Sequence, residues 1–456
     1  MKPHILVMGA GLTGLTLAYR LSRQGFRVSL IDRNSPNSSS PHRQSMDTIE
    51  GQTHTAALHH SSNHLPIVVH RFQQATWNLL KELQLTSLVT DTQAVPFEFV
   101  LPAHQLRSFH PVYAPSPFHT LFRLLLFQGM PFSDRWALLK KVEQYWEGEL
   151  TVPQNIDSQS VKAWLTTHQQ SRQACEAIWN SLCVFFLGTK SEESSARYFT
   201  TLLRQCFLSA RTHHRTFIPA LDEESLFLSP LRSFFATQPM NRLFHSIVSY
   251  FQCDGPHISS VKLSDGTALT ADMYVSALPR RRLMACLPER LQAKFAYFSN
   301  LSQLDDQTLL TTQCELSIGI DKPRFLLFSD PCGWMTIRPS SDPSTAKTHV
   351  SWVTLSKPDI QSPSTQEDLE PISFLFPQLF KKSLSQLTPT NIRKTFQTFT
   401  ACHPNNSSFR PLPKSPLTNL FVTGPWTDTG LPSSRESSIV SADSCATELI
   451  QNLTQR

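Results

Sequence analysis

The spacing of hydrophobic and polar residues changes character several times along this chain. His4 to Met8 is an almost unbroken apolar run, the pattern of a strand buried on both faces of a parallel sheet. It gives way at Gly9 to a helical period that carries Leu15, Leu17, Ala18 and Leu21 and closes at Gly25. A second strand pattern, Arg27 to Ile31, ends on Asp32. Near the other end, Leu420, Phe421 and Val422 repeat the buried-strand pattern, and Gly424 stops it. The irregular "PWTDTGLP" follows. Ser433, Ser434, Arg435 and Glu436 then have the form of a capping box opening a helix, with Ile439, Val440, Ala442, Cys445, Leu449 and Ile450 on its apolar face.

Between these ends the periods come in blocks. Residues 96–239 are dominated by helical, aromatic-rich stretches such as "SPFHTLFRLLLFQGMPFSDRWALLKK". Phe118, Leu121, Phe122, Leu125 and Phe127 there form a dense apolar surface. It suits helix core, the wall of a lipid tunnel, or a face that dips into a bilayer. In 240–285, Val261 and Leu263 alternate ahead of the Asp265-Gly266 turn, a hairpin signal. In 286–409, "TTQCELSIGI", "FLLF" and "THVSWVTL" alternate as strands of an antiparallel sheet, with Ser- and Pro-rich surface loops at 339–345 and 358–366. The expected fold class is α/β: a discontinuous Rossmann-like dinucleotide domain from 1–95, 240–285 and 410–456, a mostly helical insertion at 96–239, and a β-rich substrate domain at 286–409.

Composition narrows the function classes. The 456 residues are 40% hydrophobic and 17% charged, and the net charge of +6 comes from 41 basic and 35 acidic residues. The one compact basic cluster is Arg280, Arg281 and Arg282, so the charge makes no stripe for nucleic acid, yet it does attract anionic lipid headgroups. Nine dispersed cysteines without a CxxC pair read as reduced thiols of a cytoplasmic chain. No histidine spacing matches a metal motif, and no metal is expected. No signal segment is visible, and no window approaches the ~20 apolar residues that a membrane span requires, which leaves peripheral contact with an inner membrane as the expected mode.

The first block carries chemistry. Gly9, Gly11 and Gly14 form GxGxxG with Leu12 and Thr13 between them. Gly9 permits the tight turn, Gly11 admits a pyrophosphate to the backbone, and Gly14 lets helix and strand pack closely. The helix N-terminus offers free N–H groups to the phosphates, and Asp32 accepts the ribose hydroxyls. The pattern alone does not separate NAD from FAD.

The C-terminal segment "LFVTGPWTDTGLPSSRESSIVSA" resembles the signature of the amine oxidase and phytoene desaturase flavoproteins. Within them it is most similar to the hydroxysqualene dehydroxylase (squalene-associated FAD-dependent desaturase) family. Leu420, Phe421, Gly424, Trp426, Thr427, Asp428, Thr429, Gly430, Leu431, Pro432 and Glu436 carry the match. Trp164, Trp179, Leu182, Cys183 and the segment 191–196 resemble that family's helical region, and "ADMYVSALPRRRLMACLP" resembles the strand returning to its FAD domain. The resemblance implies a two-dinucleotide-binding-domain flavoprotein with FAD held by the glycine-rich turn, Asp32, Arg33, Gly424, Thr429, Gly430, Leu431 and Glu436. It implies reduction of hydroxysqualene to squalene with loss of water in bacterial squalene and hopanoid biosynthesis. A long-chain isoprenoid would be the substrate, and squalene-synthase-like enzymes would stand upstream. Trp426 would wall a cationic intermediate or pack against the cap, and Asp428 would donate a proton, bind cofactor or brace the loop.

The chain departs from that pattern in places. Asp32 replaces a glutamate, the paired glycines that follow are absent, and Arg33 and Arg43 are the cations at hand. Pro425 stands where an aspartate is usual, so a carboxylate and an N–H are lost. Two alternatives therefore stay open: a carotenoid (phytoene-type) desaturase on the same scaffold, and a degenerate flavoprotein that binds lipid or partner without turnover.

Overall fold

The computed structural model describes residues 2–33, 66–110, 112–115, 118–146, 156–209, 212–340, 346–355, 366–387 and 389–455. Arg43, His64 and Leu65 lie outside them. The chain forms two compact units, one from residues 1–52, 224–305 and 406–456 and the other from 53–223 and 306–405.

The first unit is organised by a parallel sheet. Strand β1 (His4–Met8) lies between β2 (Arg27–Asp32) and the strand Met273–Ser276; Leu420–Val422 and Arg242–His245 form the two edges. Ile5, Leu6, Val7 and Met8 are buried, as the unbroken apolar run requires of a strand covered on both faces. Helix α1 (Leu12–Arg23) packs against the C-terminal helix Arg435–Thr454, and Arg20 Nε donates to Asp443 Oδ1 at 2.6 Å. On its other flank α1 meets the helix Ser229–Thr237, where Tyr19 and Phe234 sit edge to face with centroids 4.7 Å apart. The expected hairpin is present. His257–Leu263 pairs antiparallel with Ala268–Leu269, Gly266 takes φ +85°, and Asp265 Oδ1 accepts the Thr267 N–H.

The second unit is built on a seven-stranded sheet ordered Thr390–Thr400, Asp306–Leu316, Thr348–Leu355, Gly333–Pro339, Arg324–Phe328, Phe97–Leu101, Gln105–Phe109. The strand Arg324–Phe328 sends alternate side chains into two cores. Phe325 and Leu327 join the core under the helices Asn180–Leu187 and Ala196–Leu203, while Leu326 and Phe328 join a cluster with Leu369, Ile372 and Phe376. Glu98 receives a bidentate pair from Arg324, at 2.9 and 3.0 Å, across the one parallel junction of this sheet.

The units cut across the expected domain boundaries. Phe97–Leu101 and Gln105–Phe109, read as part of a helical insertion, are sheet strands, because Phe97 and Phe99 bury against Phe325 and Phe127. Residues 224–239 and 286–305 pack in the first unit instead: Leu287, Leu291, Phe298 and Leu301 complete the core around Phe251 and Tyr274.

Candidate functional site

The two segments singled out in the sequence arrive at one edge of one sheet. All strands of that sheet are parallel, and Met8 pairs with Ser276 while Ser276 pairs with Val422. The ladder extends one residue past each strand: Gly9 N–H donates to Ile31 O, Ala277 N–H to Met8 O and Thr423 N–H to Ser276 O. The glycine turn and the C-terminal loop therefore leave side by side at the carboxyl edge, where ligands of open α/β sheets bind.

The turn has the form that a pyrophosphate needs. Gly9 takes φ +106°, and a Cβ there would stand 2.8 Å from Ala277 O. A Cβ on Gly14 would stand 1.8 Å from Gly9 O, so only glycine lets α1 begin this close to the turn. At Gly11 a Cβ would meet nothing within 4 Å, which leaves open space above the turn for a ligand. Gly11 is also the N-cap of α1, and no side chain caps it. The first N–H groups of α1, including those beside half-buried Leu12 and buried Thr13, are thus aimed at that space.

Asp32, 8% exposed, lies at the end of β2 and lines a cavity of about 220 Å³ with Ala10, Leu15, Leu30, Arg232 and Asn241. Arg232 Nε stands 3.9 Å from Asp32 Oδ2, and the same guanidinium donates to Glu224. Asn241 Nδ2 donates to Ser22 Oγ on α1 at 2.9 Å. Sequence reasoning missed Arg232, which lies in a segment read as insertion, and Asn241, which lies in the 240–285 return to the dinucleotide domain but in no motif. Arg33 is exposed in the bend after β2.

The C-terminal loop is tied from three directions. Ser441 Oγ, on the C-terminal helix, accepts the Gly424 N–H at 2.9 Å and meets Thr423 Oγ1 at 2.9 Å and Thr427 Oγ1 at 2.7 Å. Arg410, 4% exposed, extends one guanidinium nitrogen toward Pro425 O and Leu431 O, each at 3.4 Å. Thr429 Oγ1 accepts the Leu431 N–H, and Gly430 takes φ +70° in the turn between them. Neither Ser441 nor Arg410 carried a signal in the motif itself.

The two residues expected to act in catalysis take loop-building places. Trp426 is 4% exposed in the core of the first unit, its Nε1 donating to Leu278 O at 3.3 Å, so the indole packs instead of lining an open wall. Asp428 is exposed; its Oδ1 accepts the Gly430 N–H at 3.3 Å, the loop brace that short Asp side chains provide. The capping box sits one residue later than expected. Ser434 is the N-cap and Ser437 its partner, because Ser437 Oγ reaches back to the Ser434 N–H at 2.8 Å. Glu436 occupies the second helical position, buried.

The turn, the uncapped helix start and the acid beside a cavity fit a dinucleotide, and the comparisons with known proteins agree. The family model described as FAD dependent oxidoreductase matches residues 4–104. The chain is 26% identical over 209 residues to 15-cis-phytoene desaturase of Synechococcus elongatus, a match covering 42% of this chain and 43% of that protein, less than half its length. It is 21% identical over 476 residues to the chloroplastic/chromoplastic 15-cis-phytoene desaturase of an Oncidium hybrid cultivar, over 99% of this chain and 78% of that one. Among solved structures, cyclohexylamine oxidase from Brevibacterium oxydans shares the fold with a TM-score of 0.63 and 14% identity over the whole of both chains. The architecture is the mixed α/β flavoprotein fold, the cofactor indicated is FAD, and the activity indicated is that of an FAD-dependent oxidoreductase.

Proposed function

We propose that the protein reduces hydroxysqualene to squalene with loss of water. The observation that carries this reading is the WTDTGLP loop, Trp426 to Pro432, held at the same sheet edge as the glycine turn. In the overall change a C–O bond breaks, a C–H bond forms and the oxygen leaves as water, which consumes two electrons and two protons. Reduced FAD supplies the hydride when bound. The chain's own residues bind and orient: the N–H groups at Gly11, Leu12 and Thr13 take the pyrophosphate, and Asp32 takes the ribose hydroxyls. Gly424, Thr429, Gly430 and Leu431 shape the loop that Arg410 and Ser441 hold rigid.

A second reading is favoured by the named relatives, which are phytoene desaturases. In it the chain removes hydrogen from a polyene precursor, with FAD as acceptor. Anaerobic incubation of the purified protein with reduced FAD and hydroxysqualene separates the two. Squalene is the expected product. Its absence, together with a conjugated product from phytoene and oxidised FAD, selects the desaturase. A colourless protein that takes up no FAD rejects both and leaves the binding protein without turnover.

A further inference from the structure

We propose that the helix pair Phe118–Leu126 and Phe132–Trp146 of the second unit is a docking surface for an anionic lipid bilayer, whose headgroup interface it enters with Phe118, Phe122, Leu126, Phe132 and Trp136. These five side chains are between 48% and 65% exposed. With Tyr113 they are six of the eleven large apolar side chains exposed among the described residues, drawn from a stretch of 24 positions. The spacing gives each helix a continuous outward stripe. Phe118, Phe122 and Leu126 follow at four-residue intervals on one helix and Phe132 and Trp136 on the other. The rings pair along each helix, Phe118 on Phe122 at 6.0 Å and Phe132 on Trp136 at 6.2 Å.

The polarity of the pair is inverted relative to a helix facing water. His119 and Thr120 are turned inward, and Thr120 Oγ1 donates to Phe207 O at 2.6 Å. The single carboxylate between residues 118 and 140, Asp134, is 1% exposed and accepts the Ser171 N–H. Cations stand over the outward rings instead: the Arg135 guanidinium lies 5.4 Å from the Phe132 centroid and the Lys140 ammonium 6.0 Å from that of Trp136.

An apolar face with cations over its rings, and with the one acid between residues 118 and 140 buried, complements a negatively charged headgroup layer over acyl chains. No helix among the described residues is long and apolar enough to cross a membrane, so the pair lies in the interface plane. This inference stands apart from the substrate reading, since vesicle binding is measured without turnover.

The test is co-sedimentation of the full-length protein with phosphatidylcholine vesicles, alone or with about 30 mol % phosphatidylglycerol. The wild type is expected to pellet with the anionic vesicles at low salt and to be released by high salt. The Phe122→Ser/Trp136→Ser variant, with unchanged far-UV circular dichroism, is expected to bind about tenfold more weakly. Should that variant misfold, Lys140→Glu at the edge of the face is the substitute, and it is expected to weaken binding to the anionic vesicles alone. Wild type that stays in solution with anionic vesicles overturns the proposal, as does a folded variant that pellets equally. Lipid-free self-association in the wild type that the variant lacks would assign the face to a second copy of the chain and overturn it too.

Discussion

Acid is expected to destabilise the second unit through one buried imidazole. His70 is 3% exposed, stacked between Phe72 and Phe97 at 5.2 and 5.8 Å, with Phe185 edge-on at 5.4 Å. Its Nδ1 bonds Thr216 Oγ1 at 3.0 Å, and its Nε2 is buried with no hydrogen-bond partner. Burial in this apolar box pushes the imidazole from 6.5 down to about 3. The unfolded chain therefore binds the proton first, so the stability is fully present above pH 6.5 and is lost as the pH falls toward 3.

The full drop, at ~1.36 kcal/mol per pH unit, is on the order of 5 kcal/mol. Between pH 7.5 and pH 5 the same relation gives about 2 kcal/mol. Urea unfolding followed by tryptophan fluorescence suits the measurement, because seven of the eight tryptophans belong to the second unit. His4, His110 and His349 are also lowered by burial, so the quantity to compare is wild type minus His70→Phe, in which their contributions cancel. That difference is expected to shrink by about 2 kcal/mol on going to pH 5. Parallel loss of stability in the two proteins would mean that His70 is not held neutral in the folded state, and the reasoning would fail.

Three further outcomes follow from the first unit. Gly11→Val adds a side chain where a Cβ meets nothing but replaces a glycine N-cap, so apo stability should fall by only about 1 kcal/mol while FAD is no longer retained; Gly14→Ala, 1.8 Å from Gly9 O, should cost about 3 kcal/mol even without FAD. Flavin absorbance after gel filtration and thermal unfolding of the apoprotein separate the two effects, and equal behaviour would remove Gly11 from the site. Asp32→Ala should weaken FAD about tenfold to a hundredfold by equilibrium dialysis, with unchanged affinity counting against a ribose contact. Ser441→Ala takes a partner from Thr423, Gly424 and Thr427 at once and should lower stability by about 2–3 kcal/mol in denaturant; a loss under about 0.5 kcal/mol would show that water replaces the hydroxyl.

What could be read from the sequence is what backbone sterics dictate locally. The β1–turn–α1–β2 unit was legible because a doubly buried strand must be apolar throughout and because Gly9 and Gly14 occupy places that a Cβ would clash with. The hairpin at Asp265-Gly266 was legible for a different reason: Gly266 takes φ +85°, which favours glycine, and Asp265 braces the turn. Phe97–Leu101 was not: five residues of mixed apolar character satisfy a helix turn and a strand equally, and the strand is held between Gln105–Phe109, itself unread, and Arg324–Phe328, more than 200 residues away. The capping box slipped by one residue because Ser433 and Ser434 offer the same hydroxyl; the choice falls on Ser434 because Ser437 answers it.

Periodicity also finds an apolar stripe without telling which way it faces. In the helix Phe118–Leu126 the stripe is outward and the polar side inward, so the same spacing that reads as core in most helices marks an exposed face here. At the C-terminal loop the corresponding lesson concerns Pro425. Read as a missing carboxylate it is a loss, yet its carbonyl lies 3.4 Å from Arg410 and accepts from Ser433 Oγ at 3.2 Å. Arg410 also reaches Leu431 O, so one buried guanidinium spans the two ends of the loop and fixes the separation of its strand-side and helix-side halves. Proline suits that arrangement, since it restricts φ at the point where the loop leaves Gly424 and leaves no N–H to be satisfied. The substitution that weakens one inferred cofactor contact thereby stiffens the frame on which Gly424, Thr429 and Gly430 are held, and a rigid frame is what an oriented reaction on FAD requires.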